Sequence, residues 1–442
     1  MKRWTVWLTV FAIFLFAVAG IGAQESELDP LLKLLVEQGV ITMEQALAVQ
    51  AQYDEQRAAA QTPQMAPSPA EPAPQQVAQA ATPATPEPGP APAAKADNTI
   101  PKGLQGLSVG GLVYLSYQNG NTPSGQDFNA FRIKRGYIDI RKTITPYFSA
   151  RITPDVHQVA NGDLSVRLKY AYGQFNWNWD GLIQKPIVEW GVVHMPWLDF
   201  EEHINHFRMQ DTMFMERNGL FNSADLGVFF GGNFGGEMPE EFKKNVQSHF
   251  AGRWGSFGVG VYNGGGYHGL ENNTNKAVEG RLTFRPLPDV VPGLQISGFG
   301  IKAKGNETDI PGRSAPDMEV LAAMISYESR RFVATAQYER GKGNQSGSAV
   351  DGEGNALPHD GYSLFADFRI DKDAKFSLIG RYDWFDTNRD STSGDIKKRM
   401  IAGVAWQFTK GNYWVLDFDR LEHTVPGLET EDRVQLTLQV KY

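Results

Sequence analysis

Along residues 432–442 apolar and polar side chains alternate with period two: Val434, Leu436, Leu438, Val440 and Tyr442 share one parity, and Arg433, Gln435, Thr437, Gln439 and Lys441 the other. A strand built this way has one wholly apolar and one wholly polar face. The pattern returns in Val109, Gly111, Val113, Leu115 and Tyr117, in Phe332, Ala334, Ala336 and Tyr338, and in Tyr362, Leu364, Ala366, Phe368 and Ile370. It returns again in Phe376, Leu378, Gly380, Tyr382 and Trp384, and in Met400, Ala402, Val404, Trp406 and Phe408. Clusters of Gly, Asn, Asp and Pro separate these runs, so the chain from Ile100 onward reads as strands and turns. In a soluble sandwich the apolar faces would close on a core; in a transmembrane barrel they meet lipid while the polar faces line a lumen.

Connection lengths favour the barrel. The links at 410–412, 371–374 and 330–331 are short, whereas those at 387–396, 341–361 and 305–316 are long and polar. Short turns at one rim and long loops at the other are the habit of outer-membrane barrels, and Trp384, Trp406, Tyr413 and Trp414 fall near strand ends, where interfacial girdles form. Ten strands count back to Phe257 and six precede them, although 226–254 divides in two ways. The fold expected is all-β: a 16-stranded antiparallel transmembrane β-barrel over 99–442, with fourteen or eighteen as neighbouring counts. Its 344 residues then give about 21 per strand and connection, enough for strands of roughly ten residues.

The N-terminal quarter follows other rules. Lys2 and Arg3 precede an apolar run at 4–18 and small residues at 19–23, which predicts a signal peptide over 1–23, the run being shorter than the roughly 20 residues a spanning helix needs. Residues 24–57 carry helical spacing: Asp29 before Pro30, Leu31, Leu32, Leu34 and Leu35, a stop at Gly39, and Thr42 with Gln45 as a capping box. This predicts a helical hairpin too small to be stable alone, which either docks on a periplasmic or cell-wall partner, self-associates, or fluctuates. Residues 58–98 hold 10 prolines and 14 alanines, a disordered Ala/Pro-rich linker reaching at most ~127 Å.

Composition narrows the function. The formal charge of −8, less the +2 of Lys2 and Arg3, leaves −10 for a processed chain, which argues against a nucleic-acid partner. With no cysteine there is neither a disulfide framework nor a thiolate metal site. Mean hydropathy of −0.36 is no obstacle to membrane insertion, since alternating strands average out polar.

Charged residues concentrate early in the barrel. Arg132 and Lys134 oppose Phe131 and Ile133; Arg151 opposes Ala150 and Ile152; Arg167 and Lys169 oppose Leu168, Tyr170 and Tyr172. Neighbouring strands thus turn a basic stripe to the lumen. The phase slips between Ile133 and Ile138, as at a bulge, so the parity leaves the aim of Arg135 and Tyr137 open. Inward cations either bias passing ions or simply solvate and buttress the wall.

Stretches of this region resemble the family of phosphate-selective porins O and P: FRIKRGYIDIRKTI (131–144), IVEWGVVHMPW (187–197), SADLGVFFGG (223–232) and FGVGVYNGGG (257–266). The resemblance spans most of 100–442 and implies a homotrimer of 16-stranded barrels in the outer membrane, with the third loop folded in to narrow the pore. It also implies anion selection by an Arg-Arg-x-Tyr element, matched by Lys134, Arg135, Gly136 and Tyr137. A point charge there replaces one bidentate fork, which weakens the implied phosphate preference. The candidate constriction loop, 196–222, carries Asp199, Glu201, Glu202, Asp211 and Glu216 against Arg208 and Arg217, a net charge of −3. Facing a basic wall it would set a transverse field that suits small polar solutes; alternatively its acids meet solvent or a divalent ion between subunits. His203 and His206 beside Glu202 have a spacing that metal sites use, but on a loop without cysteines loop packing is the expectation, with no metal and no cofactor.

The expected function is passive diffusion of small hydrophilic, anion-leaning solutes, phosphate-like anions included, through an outer-membrane trimer embedded in lipid. The alternative is a plugged barrel serving as a structural or binding scaffold. No Ser/His/Asp grouping stands out, so the chain is not expected to be an enzyme.

Overall fold

The computed structural model describes residues 102–442 except 160, 161, 180, 310–312 and 393; the predicted signal peptide, hairpin and linker lie outside the described residues. Sixteen strands form one closed antiparallel barrel, each paired with its neighbour in sequence and β1 with β16. They are β1 (Leu107–Asn121), β2 (Asp127–Thr145), β3 (Phe148–Gln158), β4 (Leu164–Asn176), β5 (Ile183–His194), β6 (Ala224–Phe234), β7 (Gly255–Tyr262) and β8 (Ala277–Phe284). The circuit continues with β9 (Leu294–Lys304), β10 (Asp317–Glu328), β11 (Phe332–Lys342), β12 (Pro358–Arg369), β13 (Phe376–Asp386), β14 (Ile396–Thr409), β15 (Asn412–Glu422) and β16 (Glu431–Lys441). Closure sets Leu112 opposite Lys441 and Gly120 opposite Arg433, so no strand edge is left unpaired.

The outward faces follow the alternation. Val404, Trp406, Leu416, Val434 and Leu436 are exposed, while Gln435 and Thr437 between them are fully buried. This inversion, apolar outside and polar inside, is what a barrel requires when hydrocarbon is its outer solvent.

Connection lengths alternate as expected only over the second half. Turns 410–411, 370–375 and 329–331 are short and loops 387–395, 343–357 and 305–316 long. Early on the rule fails: loops 122–126 and 159–163 have five residues, and the turn-end connection 235–254 has twenty. That connection resolves the ambiguous stretch after Leu226: one strand, β6, is followed by the short helix α3 (Glu240–Asn245), and 246–254 adds no strand beyond the single bridge Glu237–Gly252.

The 29-residue connection 195–223 between β5 and β6 folds into the barrel. It opens with helix α1 (Pro196–Ile204), which has proline at its first position and Asp199 in its first turn, and later forms the single turn α2 (Phe214–Arg217). Met195, Trp197, Leu198, Phe200, Met209, Met213, Phe214 and Met215 have no exposed surface. They pack on inward side chains of β9–β15, among them Phe299, Met318, Met324, Phe365, Ile379, Phe385 and Val415. Trp197 lies 5.3 Å from Phe299 and Phe214 6.1 Å from Phe385, ring centre to ring centre. This corrects the expectation that polar side chains line the whole lumen. Over β9–β15 the inner face is partly apolar because the inserted loop covers it, and a dry second core forms inside the barrel.

Candidate functional site

With the loop filling the β9–β15 side, open space borders β1–β6, β16 and α1. It includes a cavity of about 770 Å³ toward the loop end and one of about 840 Å³ toward the turn end. Arg132, Lys134, Arg135 and Arg167 border the first; Tyr137, Arg151 and Lys169 border the second. All seven wall residues singled out in the sequence therefore reach the free lumen.

Two bulges make this possible. In the β1–β2 ladder Tyr114 pairs with Arg135 and Leu115 with Ile133, so Lys134 is the extra residue. Both Lys134 and Arg135 then turn inward, and Tyr137, opposite Leu112, follows them. In the β3–β4 ladder Thr153 pairs with Tyr170 and Pro154 with Leu168, which makes Lys169 the extra residue. Tyr170 and Tyr172 are consequently buried on the lumen side together with Lys169, not opposite it as simple alternation predicts, while Leu168 stays outside.

Strands β2–β4 bring seven cations to the cavities: Arg132, Lys134, Arg135, Arg141, Arg151, Arg167 and Lys169. On the same strands two carboxylates stand against them, each gripped by two arginines, and the turn-end cavity is bordered further by Glu189, Asp199, Glu202 and Glu237. The fully buried Asp155 lies 3.2 Å from Arg135 and 3.0 Å from Arg167, and Asp139 lies 2.6 Å from Arg141 and 2.5 Å from Arg151. The Arg151 guanidinium also lies 4.3 Å over the Tyr170 ring. The buried Lys169 ammonium meets the Tyr137 hydroxyl at 3.3 Å and the faces of Tyr137 and Tyr170, rather than a carboxylate. Around the loop-end cavity Arg208 and Arg433 join Arg132, Lys134, Arg135 and Arg167, with Asp211 as the single acid.

The loop's charges are mostly consumed locally. Arg208 Nη1 donates to Glu202 at 2.5 Å and to Glu216 at 2.6 Å, and its Nη2 to Glu216 at 2.9 Å. Asp211 meets Arg399 of β14 at 3.0 Å, Arg433 of β16 at 3.4 Å and Arg217 at 3.8 Å; Arg217 also reaches Asp383 at 3.2 Å. Burial would raise the Asp211 carboxyl, but Arg217, Arg399, Arg433 and Lys134 hold it well below the usual range. Glu201 faces β11 instead, accepting from Gln337 at 2.6 Å, and burial pushes it up to about 7 despite Arg381. Of the six loop residues singled out in the sequence, Glu202, Arg208 and Asp211 border the cavities, while Glu201, Glu216 and Arg217 are turned into loop and wall packing. Glu202, Glu216 and Asp211 are thus paired with arginines of the loop, β14 and β16, which weakens the transverse field expected of an acidic loop, while Asp199 and Glu202 still face the turn-end cavity opposite Arg151 and Lys169.

The histidines pack as loop residues. His203 stacks on His249 at 4.4 Å and hydrogen-bonds through Nδ1 to the Asp199 carbonyl at 2.6 Å, while His206 borders the turn-end cavity. No cluster of three or more potential metal ligands occurs among the described residues. Sequence reasoning missed Arg141 and the remote partners Arg399 and Arg433, because pairing across the barrel leaves no local signature. The inward apolar belt did leave one: β10 reads MEVLAAMISY, apolar on both parities, as a strand covered on both faces should.

No protein-family model and no curated protein matches the sequence. Among solved structures the fold is similar to an anion-selective porin from Comamonas acidovorans (TM-score 0.53, 11% identity, 76% of this chain and 99% of that one). It is also similar to the outer membrane channel DcaP of Acinetobacter baumannii (0.52, 12%, 76% and 97%) and to Salmonella typhi OmpF in complex with daunomycin (0.51, 12%, 76% and 97%). At such identities the likeness speaks for architecture alone: the chain has the 16-stranded barrel fold found in outer-membrane porins.

Proposed function

We propose that this protein is an outer-membrane porin through which small hydrophilic solutes diffuse down their own gradients, with a preference for anions. The observation that carries the reading is the charge imbalance of the loop-end cavity, which Arg132, Lys134, Arg135, Arg167, Arg208 and Arg433 border against Asp211; the turn-end cavity, where Asp139, Glu189, Asp199, Glu202 and Glu237 meet six cations, is close to balanced. In a narrow, water-filled passage such a wall lowers the energy of passing anions without any dedicated site. Arg132, Lys134, Arg135, Arg151, Arg167 and Lys169 supply the field, with Tyr137 beside Lys169. Phosphate-like anions fall within this class, and membership of the porin O/P family is part of the proposal. So are assembly as a homotrimer in lipid, cleavage of residues 1–23, and a periplasmic position for 24–98, where the hairpin could meet cell-wall or periplasmic partners. The chain is read as a channel, not an enzyme, working without a cofactor.

A second reading has its own support: the dry core between the inserted loop and β9–β15 suits a plugged barrel acting as a scaffold. The test of anion preference is the zero-current potential across a planar bilayer in a tenfold KCl gradient. The proposal expects the sign set by chloride; a sign set by potassium would overturn it.

A further inference from the structure

We propose that Lys134 is a positioning residue that latches the tip of the inserted loop to the barrel wall and so sets the width of the free passage. The inference rests on the channel reading for its consequence, but its geometry is independent of that reading. Lys134 is the extra residue of the β2 bulge, which places its side chain between β1, β16 and the loop. Its Nζ donates to the Met209 carbonyl at 2.7 Å, the Gln210 carbonyl at 2.6 Å and Gln435 Oε1 at 3.0 Å. An ammonium has three hydrogens, so all of its donors are engaged.

Gln435 completes the latch from β16. Its Nε2 donates to the same Gln210 carbonyl at 2.7 Å and to Asp417 Oδ1 at 2.7 Å. The next residue of the loop, Asp211, is held by Arg399 and Arg433, so three consecutive residues, 209–211, are tied to β2, β14 and β16. At 209 and 210 the wall grips backbone carbonyls, which makes the hold independent of the side chains there. Without Lys134 the Met209 carbonyl would lose its hydrogen bond inside the barrel, while the Gln210 carbonyl would keep only Gln435. Arg135, one position on, spends its charge on Asp155 and the corridor, whereas Lys134 spends its hydrogen bonds on the loop. A bulge that doubles the inward-facing cations thus lets one of them, Lys134, fasten the loop as well as add to the field.

The chain contains no cysteine, so a single introduced thiol reports on the loop. Gln210→Cys places it at a position only 2% exposed, and Leu198→Cys, in the dry core, serves as the fixed reference. Reaction with a small methanethiosulfonate is timed in detergent-solubilised trimer or monomer that keeps its heat-modifiable mobility. Lys134→Met is expected to speed labelling at 210 at least tenfold with 198 unchanged, and Lys134→Arg, which still donates to carbonyls, to leave both within twofold. Gln435→Leu is the second variant should Lys134→Met fail to fold, with the same acceleration expected. Unchanged labelling at 210 in every variant that folds would overturn the latch, as would equal acceleration at 198. A failure of the channel reading would appear in the bilayer and leave these rates untouched.

Discussion

Trp197→Ala is expected to raise single-channel conductance, make the open current noisy, and lower the stability of the folded barrel by about 3–5 kcal/mol. The indole is fully buried in α1, 5.3 Å from Phe299, at the root of the inserted loop. Truncation removes its transfer free energy and leaves a cavity that a closed barrel wall can do little to collapse. The loop has no strand pairing of its own to fall back on, so the loss falls on its attachment. Because the indole Nε1 has no hydrogen-bond partner among the described residues, Trp197→Phe forfeits packing volume without orphaning a polar group and should behave much closer to the parent. Urea titration of vesicle-inserted protein measures the first effect and bilayer recording the second. Unaltered conductance with a full loss of stability would show that the loop does not border the conducting path.

Asp155→Asn is expected to move the zero-current potential further toward the chloride limit and to destabilise the protein. Asp155 has no exposed side-chain surface and neutralises both Arg135 and Arg167. Asparagine keeps the shape and removes the charge, leaving Arg135 and Arg167, which border the loop-end cavity, without their carboxylate. Breaking a buried pair typically costs roughly 3–5 kcal/mol; the arginines here keep about a fifth of their surface exposed, which places the cost toward the low end. Asp139→Asn makes a useful contrast, because Asp139 is a quarter exposed and water can take over part of its role. A shift toward potassium in Asp155→Asn would mean that the arginines do not set the field.

Much of this architecture is written in the parity of the strands. The outward sets on β11–β14 and β16 and the count of sixteen follow from alternation, because each strand has lipid on one side and that requirement is local. Tyr170 and Tyr172 show where locality ends: the bulge at Lys169 flips the phase, and a bulge is a property of the pair of strands, not of one sequence run. The same holds for Asp211, whose partners Arg399 and Arg433 come from strands nearly two hundred or more positions away. The inserted loop was legible as a long charged connection. Its methionines and aromatics, the part that fixes it in place, were overshadowed by its acids. The apolar interior of β10 escaped because a strand apolar on both faces still satisfies the outward rule.

Everything turns on whether water and ions pass along β1–β5 beside the inserted loop. The most direct measurement is current through planar bilayers after adding purified, heat-modifiable protein in 1 M KCl. Discrete, reproducible upward steps are the predicted result. Membranes that stay silent although the protein has demonstrably inserted would contradict it and leave a sealed barrel in place of a channel.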